Sequence, residues 1–390
     1  MLLREVRGMS RTWDVVVIGA GSVGTPAAMS LAGMGFSVLC IDRMPSAGQG
    51  SNKCAIGGIR ATHSDPAKVR LCLHSLEVFR GWREEHGDDI SWHEGGYTYV
   101  AYDETTAALL RGMLPGQQAA GLDIGWVGPD RLAEIVPGIA REGLLGGTWS
   151  PHDGSASPMQ AVYAFCRRAR ALGAEFAFGE EVVSLETEGS RITAVVTGRE
   201  RHACGAVVNC AGPDARAVGR LAGCDLPVDP DLHEAGVTEP VKRFFDPMVV
   251  DIRRSPGSAN YYFYQHDTGQ VVFCITPDPP IPGTSTAETS GFLPLVAPRM
   301  TSLLPRLANL KVRRTWRGCY PQTPDGSPLV GRLGGNSYCA AGMCGQGFML
   351  GPGVGALVAR LVAGETAPGD AETLAALAPG RRFGGQEALK

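Results

Sequence analysis

The stretch Trp13-Asp-Val-Val-Val-Ile18, running straight into Gly19-Ala-Gly21-Ser22-Val23-Gly24, decides the fold. A short β-branched apolar run is the pattern of a buried parallel strand. The glycines that follow sit where a strand must turn at once into a helix. That helix is legible through Pro26, Ala28, Leu31 and Met34, and a second strand, Ser37 to Asp42, ends in a carboxylate 18 residues beyond Gly24. A lone G-x-G-x-x-G is weak evidence, but strand, turn, helix and terminal acid in this order read as a dinucleotide-binding unit. Gly19 permits the turn, Gly21 lets backbone N–H groups reach a pyrophosphate, and Gly24 allows close helix–strand packing. The helix N-terminus adds positive partial charge. Asp42 suits ribose hydroxyls and disfavours a 2′-phosphate. The motif alone does not separate FAD from NAD.

The rest of the composition is an ordinary globular balance and argues against a largely disordered chain. The chain has 390 residues, 44% hydrophobic and 19% charged, with 36 basic against 39 acidic side chains and a net charge of −3. No basic cluster stands out, so a nucleic-acid partner is not expected. Glycine is abundant, at 53 residues, and concentrated in a few loops rather than periodic. The 11 cysteines are odd in number and form no C-x-x-C pair, which gives no local support for zinc or iron–sulfur sites. With no secretory signal read at the start, reduced thiols and a cytoplasmic location are expected. Residues Met1 to Thr12 read as a frayed extension, with Met9 an alternative start. Leu333 to Ala359 carries no charge, yet its glycines, Pro352, Asn336 and Gln346 suit a buried ligand loop better than a membrane span.

Beyond Asp42, the glycine-rich segment Pro45 to Arg60 is too long for a simple connection, and such loops usually bind something. Asp65 and Pro66 open a helix over 65–86, with Val69, Cys72, Leu73, Leu76 and Phe79 inward and the remainder solvated. Strands are expected over Glu94–Ala101 and Gly143–Trp149, helices near 104–120 and 130–136, and a helix from Ser157 to Leu172. Ala174–Phe178 and the hairpin Val182–Glu188/Arg191–Thr197 follow, turning at Gly189-Ser190. Ala206 to Gly212 is again a buried strand ending at glycine, a return to the nucleotide-binding part. Leu226 to Arg317 is β-rich and aromatic. Asn260–Tyr264 and Gln270–Thr276 pair across a turn at His266–Gly269, and a helix covers Ser290–Leu304. A second glycine-dense element, Gly342 to Gly355, opens a final helix to Ala363. Two binding elements about 320 residues apart imply one long cofactor spanning both.

Gly19–Gly24 with Asp42, Asn209–Gly212, Thr323-Pro-Asp-Gly326 and Gly342–Gly355 together resemble the FAD-dependent D-amino-acid oxidase family, which includes glycine oxidase, sarcosine oxidase and related dehydrogenases. The likeness runs from Trp13 to about Gly364. It implies an α/β fold, α+β overall. A discontinuous Rossmann-like FAD-binding domain (10–64, 150–225 and 319–375) would carry an antiparallel substrate-binding domain (65–149 and 226–318). It implies FAD, held by Gly19, Gly21, Ser22, Val23 and Gly24, with Asp42 and Arg43 at the adenosine ribose. Gly50, Ser51, Asn52 and the backbone near Ala55 would line the pyrophosphate and ring, Val182 would hold adenine, and Ala211 and Gly212 would complete the nucleotide site. Gly345, Gln346, Gly347, Phe348 and Met349 would approach the pyrimidine end of the flavin. Arg60 matches an arginine that binds the substrate carboxylate, and a guanidinium suits two oxygens. Tyr320 matches an active-site tyrosine or arginine. Tyr262 and Tyr264 are further candidates to face substrate, whereas His63 and His93 read as core or loop residues.

The departures from the family pattern carry expectations of their own. Gly318 stands where some relatives attach flavin to cysteine, and Cys54 where others use histidine, so non-covalent FAD is expected, with Cys319 and Cys54 the residues able to overturn that. Met349 stands at the place of a lysine near the flavin. Gln270–Thr276 also lacks the lysine that activates oxygen in relatives, which points towards a dehydrogenase. The implied activity is oxidation of an amino acid or secondary amine by hydride transfer to flavin N5, with an imine that hydrolyses. Oxygen or another carrier would take the electrons, and a homo- or hetero-oligomer is compatible. The alternatives are a flavoprotein subunit of a larger electron-transferring dehydrogenase, a 2-hydroxy-acid oxidoreductase on the same fold, and a flavin-binding protein without catalysis.

Overall fold

The computed structural model describes residues 12–385 and 387–389; the arginine-bearing extension, residues 1–11, lies outside them. Thr12–Ile18 is the strand the sequence predicts, and Thr12 belongs to it rather than to the extension. It lies between Val38–Asp42 and Arg201–Asn209, parallel to both. Glu175–Phe178 extends the sheet beyond Val38–Asp42, and Ser337–Ala341 extends it on the far side, again in parallel. Side chains alternate between the faces of the first strand. Val15 and Val17 enter one core with the helices Gly24–Gly33, Pro66–His86, Pro158–Ala171 and Gly347–Ala363. Val16 and Ile18 enter another, covered by the hairpin 182–197 and by Val218 of the helix Ala215–Leu221. Both faces are dry, which is why the strand reads as a continuous apolar run.

A second sheet of eight strands runs in the order Val312–Gln322, Asp229–Thr238, Val271–Asp278, Gly257–Gln265, Met248–Asp251, Tyr97–Ala101, Gly146–Ser150, Gly125–Val127. It is not wholly antiparallel as expected: Met248–Asp251 joins Tyr97–Ala101 in parallel. The first sheet is mixed as well, through the antiparallel Leu329–Gly334 and the hairpin. One face of the second sheet presents Val249, Tyr261, Phe263, Phe273 and Ile275 to the helix Phe292–Leu303. The register places Asp231, His233, Cys274, Tyr262, Val250, Tyr99 and Tyr320 on the opposite face.

The helix Pro66–His86 begins as read. Asp65 Oδ1 accepts from Ala67 N at 2.9 Å, Pro66 takes the first position, and Gly87 at φ +75° ends it. Its polar side is not wholly solvated, however: Lys68 and Ser75 are buried. The helix packs on Gly347–Ala363 and shares the core of the first sheet. The segment 65–149 therefore divides its contacts between the two sheets. The uncharged stretch 333–359 supplies a strand and most of that last helix, and among the described residues no helix is long and apolar enough to cross a membrane.

Candidate active site

A cavity of about 850 Å³ opens at the carboxyl ends of the central strands of the first sheet and continues beneath the second. Of the residues singled out from the sequence as binding or catalytic, all but Gly24 and Tyr264 line it. Gly24 stands behind the turn. A Cβ there would lie 1.8 Å from the carbonyl oxygen of Gly19, which itself sits at φ +104°. Gly21 has open space where its Cβ would be, so the turn's backbone faces the cavity. Asp42 is held by the chain: Oδ2 accepts from Ala20 N at 2.7 Å and Oδ1 from Met44 N at 2.8 Å. Arg43 pairs with Asp214 at 2.8 Å across the same end of the cavity. Val182 follows in the strand Val182–Glu188, and Ala211 N is fixed by Asn209 Oδ1 at 3.1 Å.

Residues 51–54 form a single 3-10 turn, which spends Ala55 N on the carbonyl of Asn52 at 3.0 Å. Asn52 Nδ2 is tied to Pro158 O, leaving Asn52 Oδ1 and Ser51 Oγ buried without a partner. Gln346 caps the helix Gly347–Ala363, whose first turn points into the cavity, and its Nε2 is likewise buried and unpartnered. Buried polar atoms are normally satisfied. Three unsatisfied ones on two walls of one cavity, with a glycine turn and a helix N-terminus beside them, fit a long ligand rich in phosphate, carbonyl and ring-nitrogen groups.

Above that cradle the second sheet forms a roof. Tyr262 and Tyr320 are 2.8 Å apart at their hydroxyls. Tyr320 stacks on His233, with ring centroids 3.7 Å apart. His233 bonds Asp231 through Nε2 at 3.1 Å, and Asp231 also accepts from the backbone of Ile281 at 2.6 Å. Burial lowers the His233 pKa against the pull of Asp231, so the ring is neutral. Burial opposes ionisation of Asp231, but the bonds it accepts hold it below the usual carboxylate range. Tyr97 and Tyr99 complete the roof, the latter pushed up to about 12 by burial.

Arg60 lies at the cavity edge, 5% exposed, with its guanidinium 5.7 Å from the Tyr99 ring centroid. Nη1 donates to Thr62 O and stands 3.2 Å from His63 Nδ1; Nη2 donates to Leu389 O at 2.6 Å. His63 is a core residue, kept neutral by burial and by the charges of Arg60 and Lys68. His93 lies 3.6 Å from Asp246 and 3.8 Å from Asp267, away from the cavity. Tyr264 does not face the cavity: its hydroxyl donates to Ile56 O at 2.5 Å inside the sheet packing. Sequence reading missed Tyr97, Tyr99, Asp231 and His233. Their signal is alternation, since residues two apart on a strand share a face, but only strand order shows that these faces meet.

A dinucleotide-binding turn that opens into an enclosed chamber at the strand ends defines the class of dinucleotide-dependent enzymes. Within it, the chain belongs to the DAO family of FAD-dependent oxidoreductases, which matches residues 14–361. Glycine oxidase of Bacillus licheniformis is 26% identical over 91% of this chain and 94% of the relative. The sarcosine oxidase subunit beta of Rhizobium meliloti is 24% identical over 90% of this chain and 84% of the relative. Among solved structures, the L-proline dehydrogenase from P. horikoshii superposes with a TM-score of 0.86 at 32% identity, covering 92% of this chain and 95% of its own. The protein is an FAD-dependent oxidoreductase of the glycine and sarcosine oxidase type.

Proposed function

We propose that this protein oxidises an amino acid or secondary amine bearing a carboxylate, of the sarcosine, glycine, imino-acid or D-amino-acid type. The observation that carries this reading is the meeting, in one cavity, of the cofactor cradle, the Arg60 guanidinium and the Tyr262–Tyr320–His233 roof. When bound, FAD would supply a two-electron acceptor for a hydride from the carbon that carries the amine, and the imine product would hydrolyse in water. In this reading Gly19–Val23 and Asp42 hold the dinucleotide end, Val182 the adenine and Gly345–Met349 the pyrimidine end of the ring. Residues 10–64, 150–225 and 319–375 serve the cofactor, and 65–149 and 226–318 the substrate.

The protein's own part is binding and orientation. Nη1 is engaged by Thr62 and His63 and Nη2 by Leu389, so in this reading the Nε edge of Arg60 meets the carboxylate. The tyrosine roof excludes water and aligns the C–H bond, a contribution of proximity and not of proton transfer. Raised thiol pKa values at Cys54 and Cys319, both from burial, and their bonds to the carbonyls of Arg317 and Gly283 favour non-covalent FAD. Thiolates are the reactive form. Among the described residues Lys53 is the one lysine lining the cavity. The lack of a lysine in Gln270–Thr276 supports a carrier other than oxygen, and rapid stoichiometric peroxide from the reduced enzyme in air would refute that.

Anaerobic bleaching of the bound flavin, screened over amines, amino acids and 2-hydroxy acids, tests the reading. Reduction by carboxylated amines alone supports it, and reduction by hydroxy acids alone replaces it. The likeness to a sarcosine oxidase subunit favours a second reading, a flavoprotein subunit within a larger assembly. Turnover that requires a co-purifying partner would establish it.

A further inference from the structure

Lys68 lies on the third position of the helix Pro66–His86 with its side chain fully buried. Its ammonium has three partners: Glu387 Oε2 at 2.6 Å, Gln346 Oε1 at 3.0 Å and Gly326 O at 3.2 Å. Glu387 is also fully buried, and its other oxygen accepts from Ser64 N at 2.9 Å and Ser64 Oγ at 2.6 Å. Such a pair is costly to bury, and neither residue lines the cavity. Gln346 does. An ammonium has only hydrogens to give, so the amide must turn its oxygen to Lys68 and its NH₂ the other way. That NH₂ is the buried nitrogen without a partner, on a side chain 4% exposed, at the N-terminus of a 17-residue helix.

We propose that the Lys68–Glu387 pair fixes the Gln346 carboxamide with its N–H donors towards the cofactor, making Gln346 a direct contact of the flavin and Lys68 a positioning residue that favours the reduced, anionic ring. This rests on the reading that the pyrimidine end of the flavin sits at Gly345–Met349. The sign follows from geometry. The positive member of the pair touches Gln346 and the negative member is held away by Ser64, so the positive end of the pair's dipole faces the cavity. It adds to the partial positive charge of the helix N-terminus. In a buried site such fields act with little screening. The Lys68 and Ser64 contacts outweigh burial at Glu387 and hold its pKa below the ordinary value, so the carboxylate is ionised at neutral pH.

The test uses the FAD-loaded protein and two readouts that need no turnover: the flavin midpoint potential and the affinity for sulfite, which adds to flavins that tolerate negative charge on the ring. The double variant Lys68→Met/Glu387→Gln removes both charges and keeps an acceptor for Ser64. Sulfite should bind at least tenfold more weakly, and the potential should fall by about 30 mV, the two-electron equivalent of tenfold. Gln346→Leu should do the same, and combining all three should add little. A double variant within threefold of the parent in both readouts overturns the proposal. If Gln346→Leu is silent too, the placement of the pyrimidine end fails with it; if Gln346→Leu alone weakens sulfite, only the role of Lys68 and Glu387 falls. Should the double variant not fold, Gln346→Glu, which keeps a partner for Lys68 and deletes the donors, carries the test. Undiminished sulfite affinity there overturns the proposal.

Discussion

The hydroxyls of Tyr262 and Tyr320 meet at 2.8 Å although their strands are separated in the sheet by two others. Both side chains reach across the cavity-facing side, and His233, on one of the strands between them, stacks against Tyr320. One hydroxyl donates to the other and both also contact the Cys274 thiol, so at most one hydrogen of the pair can turn to a ligand. Tyr320→Phe and Tyr262→Phe should each leave FAD uptake intact and lower the rate of substrate reduction per bound flavin by roughly ten- to a hundredfold, the worth of one hydrogen bond to a charged group. Rapid-mixing reduction of the bound flavin checks this, and rates within twofold of the parent would place the pair outside substrate contact.

Arg60 carries two roles that substitution should separate. Its bonds to the carbonyls of Thr62 and Leu389 are structural. Arg60→Ala leaves those acceptors bare, at a cost of about 1–3 kcal/mol each where water does not replace the donor. Arg60→Lys restores charge but not the planar fork. We expect both variants to melt earlier with an intact flavin spectrum, and both to require higher substrate concentration for half-maximal reduction, alanine more than lysine. Unchanged saturation behaviour in both removes Arg60 from the substrate site and leaves the structural role alone.

The helix Gly347–Ala363 approaches the dinucleotide turn so closely that a Cβ on Gly351 would fall 1.9 Å from the carbonyl oxygen of Ser22. No side chain can yield there, because the obstacle is backbone. Gly351→Ala should therefore push the turn and the helix apart, costing about 3 kcal/mol or more, and should release FAD at concentrations where the parent stays yellow. Gly112→Ala, on a helix with open space at that position, is the control expected to retain it. Equal FAD retention in the two variants would show that the turn tolerates the displacement.

Asp153 is fully buried, accepting from Ala61 N and Thr62 Oγ1, each at 2.9 Å, next to the loop that bears Arg60. Burial outweighs those bonds and pushes its pKa up to about 6, from an ordinary 3.8. The folded state thus holds this proton more tightly than the unfolded chain. Its contribution to stability is complete below about pH 4 and is lost as pH rises through 6, at most roughly 3 kcal/mol. Asp153→Asn should remove that dependence: the melting temperature of the parent, measured relative to the variant, should fall between pH 4 and pH 6.5 and level off above. A difference flat across that range would show that Asp153 ionises normally. The comparison must be relative because Asp225 and Asp370, lowered instead of raised, work in the opposite direction as acid is added.

Much of this protein was readable from local pattern. The turn from Ile18 to Gly24, the capped helix at Asp65-Pro66, the hairpin at Gly189-Ser190 and the glycine-dense approach to Gly347 each depend on neighbours in sequence, and each stands where it was expected. Errors arose where a side chain's environment is supplied by distant chain. Lys68 reads as one of several polar positions on an amphipathic helix, and nothing near it announces Glu387, more than 300 residues away, as its partner. Tyr264 and Tyr262 look equivalent in Asn260-Tyr-Tyr-Phe-Tyr264, yet one is tied to Ile56 and the other to Tyr320.

By itself, then, the order of residues determined that a parallel strand would feed a phosphate-binding turn, that a second glycine-rich helix start would lie near the other end, and that one elongated cofactor would need both. Those are consequences of backbone sterics and of period-two or helical burial, which act over a few residues. Only the tertiary structure decided which tyrosines share a roof, how much of Arg60 is left for a ligand, and which way the Gln346 amide points. Those depend on strand order and on buried charges meeting across the whole chain, where the absence of water makes each pairing obligatory and no short-range pattern records it.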